Sequence, residues 1–157
     1  MAITAFWYVN AFEQAFNKEI DFLTDDIAVS LHTATYTPNQ DTHDYFDDLT
    51  NQLSTANGYT AENGAGSGFS LASKTLANAL NVVSLDCADP VWTSSGAGFT
   101  ARIAVVSDVT PGTAATDPLL LWIDFGQNET ASGGGTMTLA LSTVLATLTP
   151  ADATGFP

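Results

Sequence analysis

Cysteine is almost absent from this chain of 157 residues: Cys87 stands alone. A lone cysteine forms no internal disulfide, and it cannot supply the paired thiolates of a zinc site. Its surroundings, "SLDCADPVW", read as a strand, which predicts a buried and unreactive thiol. Cations are nearly as scarce. Lys18, Lys74 and Arg102 stand against 17 carboxylates, and the formal net charge is −14. Such a charge repels phosphate backbones and anionic lipid, so it excludes a nucleic-acid or anionic-membrane partner. Long apolar runs are missing too. "PLLLWIDFG" is too short to span a bilayer. The opening "MAITAFWYVNAFEQAF" lacks the basic stretch of a signal peptide, and Glu13 interrupts it. Synthesis and folding in a cytoplasm is therefore the expectation.

What is present suits strands. Hydrophobic residues make up 45% of the chain and charged ones only 13%. Thr, Ser, Ala and Asn fill the remaining polar positions, as they do in sheets and close subunit contacts. The length fits one domain, 1–149, with a C-terminal tail over 150–157. Residues 5–20 carry Phe6, Val9, Phe12, Phe16 and Ile20 at helical spacing, which predicts an N-terminal helix. Trp7 and Tyr8 widen its apolar stripe. "DDIAVSLHTATY" (25–36) alternates as a strand, with Ile27, Val29, Leu31 and Thr33 on one face. Further short strands are expected at 69–77, 81–88, 91–95, 99–109, 118–126, 135–142 and 143–149. "SSGAG", "TPGTAATDP" and "GQNETASGGG" supply the turns between them. This pattern predicts a mainly β fold, a sandwich or barrel-like antiparallel domain with the N-terminal helix and one short additional helix. The run Leu119–Ile123 should be covered on both faces.

"DTHDYFDD" (41–48) packs four carboxylates, an imidazole and two rings into eight residues. Tyr45, Phe46, Leu49 and Leu53 share one helical face, and Asp44, Asp47, Asp48 and Asn51 the other. The expectation is an amphipathic helix of two to three turns, its aspartates solvated because its rings are buried. The stretch lacks the glycine and the final Glu of a calcium loop. His32 and His43, with Asp41 or Asp44, could form a metal triad, but two unrelated histidines in ordinary hydrogen bonds are the plainer reading. No G-x-S-x-G nucleophile turn occurs, and "AENGAGSG" has no following Lys for phosphate. A glycan hydrolase would need two cleft carboxylates ~5–9 Å apart, which the acidic stretch does not suggest. Arg102 is expected to pair with an acidic neighbour such as Asp124. Core filling is the default for Trp92 and Trp122, whereas Phe6, Trp7 and Tyr8 are the candidate intersubunit contact. No catalytic residue, metal ligand or cofactor is assigned.

Several blocks carry a resemblance. They are "NAFEQAFNKEIDFLTDDIAVSL", "YTPNQDTHDYFDDL", "GYTAEN" before "SLASKTL", "TARIAVV" and "GTAATDPLLLWIDFG". In this order, from about Ala11 to Leu148, they resemble a family of small structural proteins of tailed bacteriophages. The final block differs, because "TMTLALSTVLATLTPADATGFP" lacks the Trp-Asp pair of the family's last strand. The resemblance implies a virion structural protein without catalytic residues. A capsid decoration (minor capsid) protein on the outer surface of the lattice is the first reading. Its partners would be the major capsid protein and further copies of itself. A tail-associated structural or receptor-binding protein is the alternative.

Overall fold

The computed structural model describes residues 4–64, 66–80, 82–140 and 146–148. The fold is mainly β, built of antiparallel sheets with one α-helix. The strands are β1 (Thr4–Trp7), β2 (Ile27–His32), β3 (Phe69–Ser70), β4 (Thr75–Ala79), β5 (Val82–Asp86), β6 (Val91–Thr93), β7 (Phe99–Asp108), β8 (Leu119–Ala131), β9 (Thr136–Thr138) and β10 (Ala146–Leu148). A helix, α1 (Asn10–Phe16), and a single 3-10 turn (Phe46–Asp48) complete the set. The main sheet has the order β1-β8-β7-β2-β3 and does not close. Two smaller sheets, β10-β5-β4 and β6-β9, accompany it.

The long pair β7–β8 is the spine. Ile103 and Val105 alternate with Ala104 and Val106, so the strand feeds two cores. The larger core joins Ile27, Val29, Leu31, Ala104, Val106 and Ile123 to Leu85, Cys87, Trp92 and Met137 of the smaller sheets and their flanks. The second core lies on the opposite face, where Tyr8, Tyr36, Phe46 and Leu119 cover Ile103, Val105 and Trp122. Every residue of β2 and of Leu119–Ile123 is buried, as two-sided cover requires. The register slips between Val106 and Ser107, so Leu120 has no partner opposite it. That bulge lets Leu120 and Leu121 both join the larger core.

The N-terminal helix over 5–20 is corrected. Thr4–Trp7 is a strand, with Thr4 opposite Asp124 and Trp7 opposite Leu121. An aromatic run favours a pleated surface, and Phe6 stacks on Trp122 at 5.0 Å. The helix proper has seven residues and ends where Lys18 turns left-handed, φ 65°. It buries Ala11 and Gln14, while Phe16 is 87% exposed. The amphipathic helix at 41–53 is corrected too, to the one 3-10 turn. Phe46 and Asp47 give their N–H groups to the carbonyls of Asp117 and Ala114, which anchors the stretch to the loop before β8. The strand expected at 69–77 is broken into β3 and β4. That expected at 118–126 runs on to Ala131, because Phe99, Thr100 and Ala101 pair with Ala131, Thr130 and Glu129. Of 143–149, residues 146–148 form β10; the remainder and the tail 150–157 lie outside the described residues.

Ile123 sits at the centre of the larger core with no exposed surface. Ile123→Ala should lower the unfolding free energy by about 2–5 kcal/mol in a urea titration. A loss under about 1 kcal/mol would contradict a spine packed on both sides.

Candidate functional site

Alternation puts Phe6 and Tyr8 on one face, both against Trp122, and Trp7 on the other. Phe6 lies over Trp122 on one face and keeps 41% of its surface. Tyr8 is fully buried within the chain, its hydroxyl 2.8 Å from that of Tyr36. Burial is the main cause that raises its pKa. Trp7 points to the other face, against Phe12 at 5.3 Å, and lines an open groove.

That groove holds about 440 Å³. Trp7, Phe12 and Ala15 wall it from the side of β1 and α1, Leu76 and Val83 from the β4–β5 hairpin, and Leu120 closes its floor. Lys18 and Asp21 sit at its rim. Among the exposed large apolar side chains of the described residues, Leu76 on β4 is the one that walls the groove; Val9, Phe16, Leu23 and Leu80 are exposed outside its lining. The helix is too short to seal the gap between the main sheet and the hairpin. The arrangement offers contact area and little polar chemistry, which suits docking rather than turnover. Sequence reasoning missed the groove because its walls are 65 residues apart, from Ala11 to Leu76.

The acidic stretch supplies fastenings. Asp48 accepts the N–H groups of Asp44 at 2.9 Å and Tyr45 at 3.3 Å. Burial opposes its charge, but these donors leave its pKa lowered. Asp44 is shifted up, by burial first and by Asp48 second. Asp44 lines a polar hollow of about 150 Å³ with Glu13, Gln14 and Glu19, and Asp47 is exposed. Phe46 is buried, whereas Tyr45 and Leu49 are half-buried like Asp44 and Asp48, so only Phe46 lies clearly inward of the aspartates.

The histidines are separate. His32 is fully buried, with Nδ1 2.8 Å from the Thr50 carbonyl and Nε2 2.9 Å from the Ser30 hydroxyl. Nδ1–H therefore donates, and Nε2 accepts. His43 meets the Tyr36 hydroxyl through Nδ1 at 3.0 Å. Among the described residues no three His, Cys, Asp or Glu side chains gather into a metal-holding group. Arg102 pairs with Asp124 at 2.6 Å, as expected, across the second irregularity of β7–β8. Cys87 is buried and its thiol is pushed up to about 11, chiefly by burial. No helix among the described residues is long and apolar enough to cross a membrane.

A second acidic region was not foreseen. The loop "ENGAGSG" cradles an anion of its own. Glu62 is buried, and its carboxylate accepts N–H groups from Asn63, Gly64, Ser67 and Gly68 at 2.7–3.3 Å. A side chain at Gly64 would strike the backbone of Ala114, and φ there is +78°. Beside this loop Asp108 and Asp117 are fully buried, and each has one oxygen without a hydrogen-bond partner among the described residues. Asp108 Oδ1 accepts the Thr110 N–H at 2.9 Å. Burial, with the neighbouring Asp25 carboxyl, pushes Asp108 up to about 6.

No family model matches this chain, and neither a curated protein nor a solved structure does.

Two of the shifted groups, Asp108 and His32, pull stability in opposite directions. Asp108 binds its proton more tightly when folded, so its contribution is full below about pH 4 and is lost as pH rises through about 6. Burial lowers His32 from 6.5 to about 4, so its contribution is full above 6.5 and is lost as pH falls toward 4. Asp108→Asn removes the first effect alone. In urea titrations from pH 7 to pH 4, the variant should lose stability on acidification more steeply than the wild type. Parallel slopes would show that Asp108 carries no shifted proton.

Proposed function

We propose that this chain is a virion structural protein of a tailed bacteriophage, a capsid decoration protein bound to the outside of the major capsid lattice. One observation carries the reading: an otherwise acidic chain holds an open groove walled by Trp7, Phe12, Leu76 and Val83, and Phe16 is exposed on the helix that forms one wall. An acidic outer coat keeps particles apart and suits a surface turned away from packaged DNA. The apolar walls supply contacts that exclude water against a lattice neighbour. Each contact is modest, and repetition around a symmetric shell makes the sum tight. The ordered sequence blocks from Ala11 to Leu148 point the same way, as does a mainly β fold whose carboxylates largely fasten loops.

The test is rebinding. Heads and tails stripped of this protein are incubated with the purified chain, sedimented, and the bound copies counted by quantitative mass spectrometry. Hundreds of copies per head, with little on tails, is the expected result. Phe16→Asp, at a position 87% exposed, should leave the fold intact and weaken head binding at least tenfold. Binding confined to tails, or equal binding by the variant, would remove the head assignment.

A further inference from the structure

The hairpin that walls the groove has an undefended edge. β4 is the outer strand of the sheet β10-β5-β4, and all five of its side chains are exposed. Its register with β5 runs from Thr75 opposite Asp86 to Ala79 opposite Val82. Only residues 80 and 81 join the strands, and Leu80 is left-handed at φ 49°. A two-residue connection makes the closing pair, Ala79 and Val82, a hydrogen-bonded one. Alternation then aims the N–H and C=O groups of Thr75, Ala77 and Ala79 at β5. Those of Leu76 and Asn78 point away from the sheet. Neither residue has a backbone partner on another element among the described residues.

Natural edges are protected by charge, proline, bulges or brevity. β3 is protected by its length of two residues. "TLANA" has no charge, no proline and no glycine. Lys74, the obvious guard, has its ammonium bound to the carbonyl of Asp25. The patch is also neutral in an acidic chain: Thr75 to Leu85 contains no charged residue. Within β4 itself a foreign partner steered by positive charge would find no carboxylate; the nearest, Asp86, lies across the hairpin opposite Thr75. Two copies of charge −14, by contrast, can meet closely only where neither presents charge. Lys18 and Lys74, two of the chain's three cations, flank this patch.

We propose that β4 pairs antiparallel with β4 of a second copy, about a twofold axis beside Ala77. The sequence fits that symmetry. Ala77 meets its own counterpart in a non-hydrogen-bonded position, where Cα atoms approach to about 4.5 Å and a small side chain is needed. Leu76 and Asn78 of each copy exchange their outward hydrogen bonds with Asn78 and Leu76 of the other. Thr75 lies opposite Ala79. Leu80, 96% exposed, comes to rest along the methylenes of the second copy's Lys74. The two sheets merge into one of six strands, and both grooves lie on the same side of it. The contact is small for a stable dimer, so the association is weak and concentration-dependent. It deepens the reading of the chain as an assembling protein, yet it is tested on the isolated chain, so its failure is separable from failure to bind heads.

Ala77→Cys tests the register. The one native thiol is buried. Mild oxidation should convert A77C to a disulfide-linked dimer, since the paired Cα atoms fall within disulfide reach. T75C alone and A79C alone should stay monomeric, because each lies about 13 Å from its own counterpart. A mixture of the two should cross-link. In sedimentation equilibrium the wild type should dimerise, and A77D should weaken the dimer at least tenfold at low salt through two facing carboxylates. A monomeric wild type, or cross-linking of T75C alone as fast as A77C, overturns the proposal.

Discussion

The pairing of β7 with β8 creates a sheet that is apolar on both faces, and the rest of the chain is arranged to cover it. A half-buried antiparallel sheet would alternate apolar and polar residues. Here Ile103, Ala104, Val105 and Val106 are consecutive and all buried, as are Leu119 to Ile123. Water must be kept from both sides at once. On one side the smaller sheets bring Leu85, Trp92 and Met137. On the other, among the described residues, no sheet provides cover, and irregular chain does the work through Tyr8, Tyr36 and Phe46. Irregular cover has a physical cost, since its backbone donors lose water without gaining a ladder.

The carboxylates meet much of that cost. Asp21, Asp48, Glu62, Asp108 and Asp124 each accept at least one backbone N–H from a turn or loop. With three cations in the chain, ion pairing could satisfy few of them, and Arg102–Asp124 is the one ion pair among the described residues. A carboxylate already filled by backbone donors is a fastening and a poor general base. Within Asp41–Asp48 this describes Asp48, which accepts the N–H groups of Asp44 and Tyr45. The exceptions are Asp108 and Asp117, whose burial outruns their donors.

The alternation of 25–36 and 99–109, and the unbroken apolar run at Leu119, placed three principal strands correctly, because burial on a pleat leaves a period in the residues. The pairing of Arg102 with Asp124 was legible for a related reason: a lone cation amid uncharged strand residues has few partners. Failure came where two periods were compatible with one stretch. Phe6, Val9, Phe12 and Phe16 fit a helix by spacing, yet Thr4–Trp7 gains a ladder with β8 that a helix would forgo. Likewise Tyr45, Phe46 and Leu49 fit a helical face, but backbone bonds to Ala114 and Asp117 outweigh the few that a short helix could add. The groove left no local signal at all, since it exists only once α1 and the hairpin stand side by side.

The distribution of charge then decides how the molecule can approach others. At physiological salt a surface charge is screened over about 8 Å, so a distant carboxylate scarcely opposes a contact made elsewhere. What matters is the charge inside the footprint. Over most of the chain any footprint includes carboxylates, and an acidic partner arriving there must desolvate like charges together. Thr75 to Leu85 carries none, and the nearest charges are of both signs, Lys18 and Lys74 with Asp21 and Asp86. The short helix that leaves the groove open and the loops that gather the acids elsewhere therefore act together. The covering of one sheet leaves an apolar groove open beside a hairpin that carries no charge from Thr75 to Leu85.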